Sequence, residues 1–202
     1  MGLAIGQAFW LTLAVTLTGV LHMVVVKMDL LSVFAVPLDG GRRAFGERIF
    51  GDNKTWRGVV VMVCGSALLG AVQGLLGGPW ARSAGVEPID FARLGGGTGA
   101  AAMALGYLQV NAVLGLGYVL GELPNSFLKR RVGIAPGNTA QSSVGNVFFL
   151  IDQADSVLAA LGLVMLFFPY PWRTFALGII CLTGLHLVLN AVLYLGKLRR
   201  NL

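Results

Sequence analysis

Two aspartates three residues apart stand inside an apolar run, Phe148-Phe149-Leu150-Ile151-Asp152-Gln153-Ala154-Asp155-Ser156-Val157. Pro169 closes that run. A membrane-crossing helix of about 20 residues must then begin near Val147, which draws both carboxylates one to two turns below the membrane surface. At i, i+3 they project from one helix face. Two like charges at that depth are costly unless they are paired, bound to a metal or open to water. Hard divalent cations such as Mg²⁺ take carboxylate oxygens, often one or two of them together with substrate phosphates. The plainer reading pairs one aspartate with an arginine and leaves the other protonated. Glu122, shortly before Pro124, is either a third metal ligand or an interfacial charge.

Cations accompany these acids. In Ser126-Phe127-Leu128-Lys129-Arg130-Arg131, three positive charges follow an apolar run. Anchoring to anionic lipid accounts for Arg131. It does not account for Ser126, Lys129 and Arg130 sharing one helix face with Glu122 nearby. A second group lies in Asp39-Gly40-Gly41-Arg42-Arg43 and Gly51-Asp52-Asn53-Lys54-Thr55-Trp56-Arg57-Gly58. Glycine lets main-chain N–H groups approach a phosphate, and Lys and Arg supply charge for it. The second motif directly precedes a helix, whose N-terminus favours anions. It is not a Walker A loop, because Asp52 and Asn53 separate Gly51 from Lys54. Trp56 is either a platform for a base or an interface anchor. His22 and His186 sit inside apolar runs and read as packed, hydrogen-bonded helix residues.

The elements that must position these groups are membrane helices. Hydrophobic residues make up 56% of the 202 and charged residues 12%, half the share of an ordinary soluble domain. Five runs are long enough to span: Leu3–Val26, Gly58–Gly78, Gly97–Gly121, Val147–Phe168 and Thr174–Leu195. The expected fold is all-α, a single polytopic membrane domain over residues 1–202. Twelve of the fifteen Lys and Arg fall in loop 27–57, loop 122–146 and the C-terminal tail. That bias predicts a cytoplasmic location for both loops and the C-terminus, with the N-terminus outside. The net charge of +6 is thus explained by topology, without nucleic acid. The 29 glycines predict close helix packing, within the chain or in a homodimer. Cys64 and Cys181 are expected as free, buried thiols. Intramembrane acids also mark ion paths, so a small transporter is the competing reading. It predicts polar residues through the whole depth of several spans, whereas here the charges gather at one side.

On these motifs the chain resembles the CDP-archaeol synthase family, which is related to the CDP-diacylglycerol synthases. The resemblance rests on Pro37-Leu38-Asp39-Gly40-Gly41, on Gly51 to Gly58, on Gly121-Glu122 with Ser126 to Arg131 and Gly133, and on Asp152-Gln153-Ala154-Asp155. It covers nearly the whole chain. The chain departs from the diacylglycerol branch in lacking its Lys-Asp and Gly-His-Gly-Gly elements. The resemblance implies five helices around a polar, cytoplasm-facing cavity, and a reaction of CTP with a lipid phosphate that gives a CDP-lipid and pyrophosphate with Mg²⁺. On that basis Asp152, Asp155 and Glu122 are expected to hold metal, and Lys129, Arg130, Lys54 and Arg57 to neutralise phosphates. Gly51, Asn53, Thr55 and the Asp39-Gly40-Gly41 turn are expected to shape the nucleotide pocket, and Ser126 to bond a phosphate or a metal-bound water. The lipid acceptor has either ether-linked isoprenoid or ester-linked acyl chains.

Overall fold

A computed structural model describes residues 1–92, 97, 99–136 and 143–196, and the side chains of all of these except 143–150. The expected cations Arg93, Lys197, Arg199 and Arg200 lie outside the described residues, as does much of the polar stretch 135–146.

Five long helices alternate in direction: α1 Gly2–Lys27, α2 Trp56–Ser83, α3 Ala100–Arg131, α4 Ser143–Phe167 and α5 Trp172–Leu195. Their outward faces are apolar. Leu68, Leu76, Leu105, Leu166, Ile180 and Leu195 are more than half exposed, as lipid-facing side chains are. Cys64 is among the exposed residues and Cys181 is half-buried, so neither thiol is buried as expected. A cysteine sits as well against lipid as against protein, and an apolar run alone does not separate the two.

Helix α3 is the hub, packed along α2 on one side and α4 on the other. Glycine makes both seams. A Cβ at Gly74 would lie 2.5 Å from the Met103 carbonyl oxygen, and one at Gly115 would lie 2.2 Å from that of Met62. Met62 belongs to a π-helical turn, Val61–Gly65, inside α2. On the other seam, Gly117 and Gly121 face the α4 backbone at Ala160 and Asp155. These glycines are therefore used inside the chain. The core between the helices comprises Leu11, Met62, Met103, Tyr107, Val110, Leu114, Leu161 and Val164. Buried polar groups stitch α5 to its neighbours. Asn190 Nδ2 donates to Gln153 Oε1 at 2.8 Å, and His186 lies 3.3 Å from the Gln153 carbonyl oxygen and 3.4 Å from the Tyr118 hydroxyl.

The expected boundaries shift most at α3. Loop 122–146 was to begin at Glu122, but the helix runs on to Arg131, through Pro124. At 1.5 Å per residue its 32 residues span about 48 Å, well beyond a hydrocarbon core of about 30 Å. The reason is that Pro removes one donor and strains one turn, which neighbouring helices readily support in a membrane bundle.

Between α1 and α2, loop one holds a short 3₁₀ turn, Ser32–Phe34, and a two-residue hairpin, β1 Arg43–Ala44 with β2 Glu47–Arg48. The strands pair antiparallel, Arg43 with Arg48 and Ala44 with Glu47. Phe45 and Gly46 both have positive φ, as a tight hairpin turn requires.

Candidate active site

A cavity of about 670 Å³ opens at the loop-one end of the bundle and reaches down between the helices. Its walls come from α1, α2, α3, α4, α5 and loop one. Glu122, Asp152 and Asp155 line it together with Lys54, Arg57, Lys129, Arg130, Ser126, Asn53 and Thr55. Residues far apart in the sequence are thus brought to one place. Below this charged mouth the lining is mainly apolar, including Val15, Leu114, Leu161 and Leu182. The transporter reading expects charge along the whole depth, and this lining does not provide it.

The two aspartates of α4 share one donor. Asn125 Nδ2 donates to Asp152 Oδ1 and, at 2.8 Å, to Asp155 Oδ2. Their oxygens therefore converge on a single point. Lys129 Nζ also donates to Asp152, at 2.6 Å to Oδ1. Asp155 Oδ1 in turn accepts from the Ser156 N–H. Glu122 does not join this pair. Its carboxylate takes Lys54 of loop one, so the expected three-carboxylate cluster is not formed. Among the described residues, no three His, Cys, Asp or Glu side chains converge as a metal cage. Two convergent carboxylates beside open, cation-lined space still suit Mg²⁺, which keeps few protein ligands and completes its shell with water and phosphate.

The cations differ in how they are held. Arg57, in the first turn of α2, donates to Asp29 Oδ1 at 2.7 Å and to the Leu30 carbonyl at 3.2 Å. Arg130 is 6% exposed, makes a 3.5 Å contact to the Ser126 carbonyl one turn back, and has no carboxylate partner among the described residues. Its Nη1 is buried without a hydrogen-bond acceptor. Ser126 is also buried, one helical turn before Arg130. Thr55 caps α2, its hydroxyl accepting from the Gly58 N–H at 3.4 Å. His22 of α1 lines the same cavity beside Gly58, with its Nε2 3.6 Å from where a Cβ there would sit.

Asp39, Gly40, Gly41 and Gly51 do not line the cavity. Asp39 instead organises loop one from behind. Its carboxylate accepts from the N–H groups of Gly41, Phe50 and Gly51 at 3.0–3.1 Å and pairs with Arg48. Burial opposes its ionisation, but Arg48 and these three amides prevail and hold the carboxyl well below the usual carboxylate range. Gly40 and Gly41 both take positive φ in the turn that follows it.

Sequence reasoning missed Asn125. The signal was present, because Glu122, Asn125, Ser126, Lys129 and Arg130 repeat at i, i+3, i+4, i+7, i+8, which is one face of one helix. An amide carries no charge, so its place on that face stands out less than its charged neighbours do.

A five-helix intramembrane bundle with paired carboxylates and a buried guanidinium that has no ion-pair partner among the described residues is the framework of a membrane enzyme that handles phosphate esters. Comparison with known proteins agrees. The family model for CDP-archaeol synthase (CarS-like) matches residues 22–200. The chain is 32% identical over 164 residues to the CDP-archaeol synthase of Halobacterium salinarum, covering 78% of each chain. It is 31% identical over 168 residues to that of Methanopyrus kandleri, covering 81% of this chain and 77% of the other. A solved intramembrane enzyme of archaeal membrane lipid biosynthesis superposes with a TM-score of 0.54 at 24% identity, over 91% of this chain and 92% of that one, and so shares the fold. The chain belongs to the CDP-archaeol synthase family. It is a polytopic, CTP-dependent cytidylyltransferase acting on a membrane lipid phosphate.

Proposed function

We propose that the chain joins CTP to the phosphate of an archaeal ether lipid, that the reaction takes place in this cavity, and that Mg²⁺ is its cofactor. The relatives are CDP-archaeol synthases, which supports the ether-linked acceptor over the ester-linked one. The observation that carries the site is Arg130, a largely buried guanidinium on the cavity wall that forms no ion pair among the described residues. Such a charge is costly until an anion arrives, and a phosphate suits its fork of donors. The positive loops support a cytoplasmic mouth, with the N-terminus outside and the C-terminus inside.

The chemistry follows from the charges. A lipid phosphate oxygen bonds to the α-phosphorus of CTP as the bond to the bridging oxygen breaks, and pyrophosphate leaves with that electron pair. The nucleophile is already an anion, so no strong base is required. The barrier is repulsion between anions, and positioning with fixed positive charge lowers it. Arg130 and Lys129 grip phosphates from α3, while Lys54 and Arg57 do so from the start of α2. Ser126 offers a hydroxyl at the same level, and Asn53 and Thr55 border the nucleotide. Asp152 and Asp155 would hold Mg²⁺, and Glu122 keeps Lys54 at the mouth. When bound, the metal supplies charge neutralisation on the phosphate oxygens. Acids set below the membrane surface make sense here, because the acceptor's tails stay in lipid while CTP arrives from water.

The test is product formation by purified protein with CTP, Mg²⁺ and either a phosphorylated ether lipid or phosphatidic acid, read by mass spectrometry. CDP-lipid should form with the ether lipid. Arg130→Gln should lower kcat/KM about 100-fold or more, and Asp155→Asn should abolish turnover. A folded wild-type sample that binds no CTP and makes no product would refute the reading.

A further inference from the structure

Loop one supplies Asn53, Lys54 and Thr55 to the cavity wall, yet its own secondary structure is slight. Each hairpin strand has two residues, and an isolated two-stranded hairpin is marginal in water. Besides the Asp39 cluster and the main-chain pairing of Leu38 with Lys54, the hairpin is held by Arg131, the last residue of α3. The Arg131 guanidinium donates to the carbonyls of Ala44 in β1 and Arg48 in β2, and at 3.4 Å to that of Glu47. It lies 4.5 Å from the centroid of the Phe127 ring and 5.9 Å from that of Phe45. One planar fork thus holds both strands while resting on the aromatic face of its own helix. At this position, where lipid anchoring is the plain expectation, the guanidinium makes contacts within the chain.

The restraint passes inward. Arg48 pairs with Asp39, and Asp39 accepts from the Gly51 N–H at 3.1 Å. Gly51 is pressed against Pro136, where a Cβ would come within 2.8 Å of the proline ring. Asn53, Lys54 and Thr55 follow at once. Arg131 itself does not line the cavity.

We propose that Arg131 is a positioning residue that straps loop one to the end of α3 and so holds Asn53, Lys54 and Thr55 across the cavity from Lys129 and Arg130. This rests on the reading of that cavity as the CTP site. The strap sets the shape of the nucleotide pocket and takes no part in the chemical step.

The experiment compares the full chain with Arg131→Lys and Arg131→Ala in lipid nanodiscs. Hydrogen–deuterium exchange read by mass spectrometry should show the amides of residues 41–51 exchanging about tenfold faster or more in both variants, with α3 unchanged. The KM for CTP should rise about tenfold while kcat at saturating CTP stays within about threefold. Arg131→Lys keeps the charge and loses the fork, so wild-type exchange in that variant would return Arg131 to lipid anchoring and overturn the strap. Faster exchange with an unchanged KM, or a loss confined to kcat, would overturn the link to the pocket. Failure of the wild-type chain to bind CTP would instead refute the reading of the cavity, while the exchange data would still decide whether Arg131 holds the loop.

Discussion

The seam between α3 and α4 offers a demanding test, because a single methyl group should disturb catalysis there without replacing or touching a charged side chain. A Cβ at Gly121 would lie 2.7 Å from the Asp155 carbonyl oxygen, 2.7 Å from the Ala159 Cβ and 2.9 Å from the Ser156 Cα. Ordinary contact begins at 3.4 Å, so Gly121→Ala is roughly 0.7 Å too tight against main-chain atoms that cannot rotate away. The two helices must therefore separate by most of that distance at Asp155. Overpacking of this kind costs about 1–3 kcal/mol. A displacement approaching 1 Å in a catalytic constellation costs about 100-fold in rate. We expect Gly121→Ala to lower kcat for CDP-lipid formation by about 10- to 100-fold, with a smaller effect on the KM for CTP. The protein should stay folded, with a reduced Tm. Gly162→Ala and Gly184→Ala are the controls, because a Cβ at either position meets nothing within 4 Å. Turnover by Gly121→Ala within threefold of wild type, in protein with the expected Tm loss, would refute the claim that this seam sets the position of Asp155.

The other predictions concern the polar frame. Lys54 and Glu122 form a largely buried pair, so Lys54→Met or Glu122→Gln alone should cost about 1–3 kcal/mol of stability. The double variant should recover part of that loss, and a double-mutant cycle with zero coupling would contradict the pairing. Asp39 has a depressed folded-state pKa, so its stabilising contribution is complete above its unfolded value of about 4 and is lost as the pH falls below it. Asp39→Asn should accordingly lower the Tm at pH 7, with a deficit that shrinks in more acid solution. A deficit that is constant from pH 7 to pH 3 would be the contrary result.

The medium, the five helices and the class of reaction were legible in the amino-acid pattern alone. Five apolar runs require lipid as part of the solvent, because so few charged residues cannot cover a surface facing water. Asp152, Asp155, Lys129 and Arg130 stood out for a related reason. A charged group at membrane depth is expensive enough that its presence alone signals a use. Lys54, Arg57, Ser126, Asn53 and Thr55 were legible from the glycine and basic patterns around them, and they do line the cavity.

Tertiary structure decided which charge meets which. The sequence offers Glu122 as a metal ligand or an interfacial charge, and does not show that Lys54, 68 positions away, is its partner. The approach of loop one to α3 makes that pair. Asp39 belonged to a conspicuous glycine turn, but only the folded loop turns its carboxylate inward onto Arg48 and three amides, away from the cavity. The run of α3 through Pro124 to Arg131 is what brings Asn125 to the aspartates and Arg131 to loop one. Local propensity ends a helix there, whereas packing against α2 and α4 carries it on. Pairing and helix extension are settled by contacts between segments distant in the chain, whereas burial cost and hydrophobic length are properties of each segment alone.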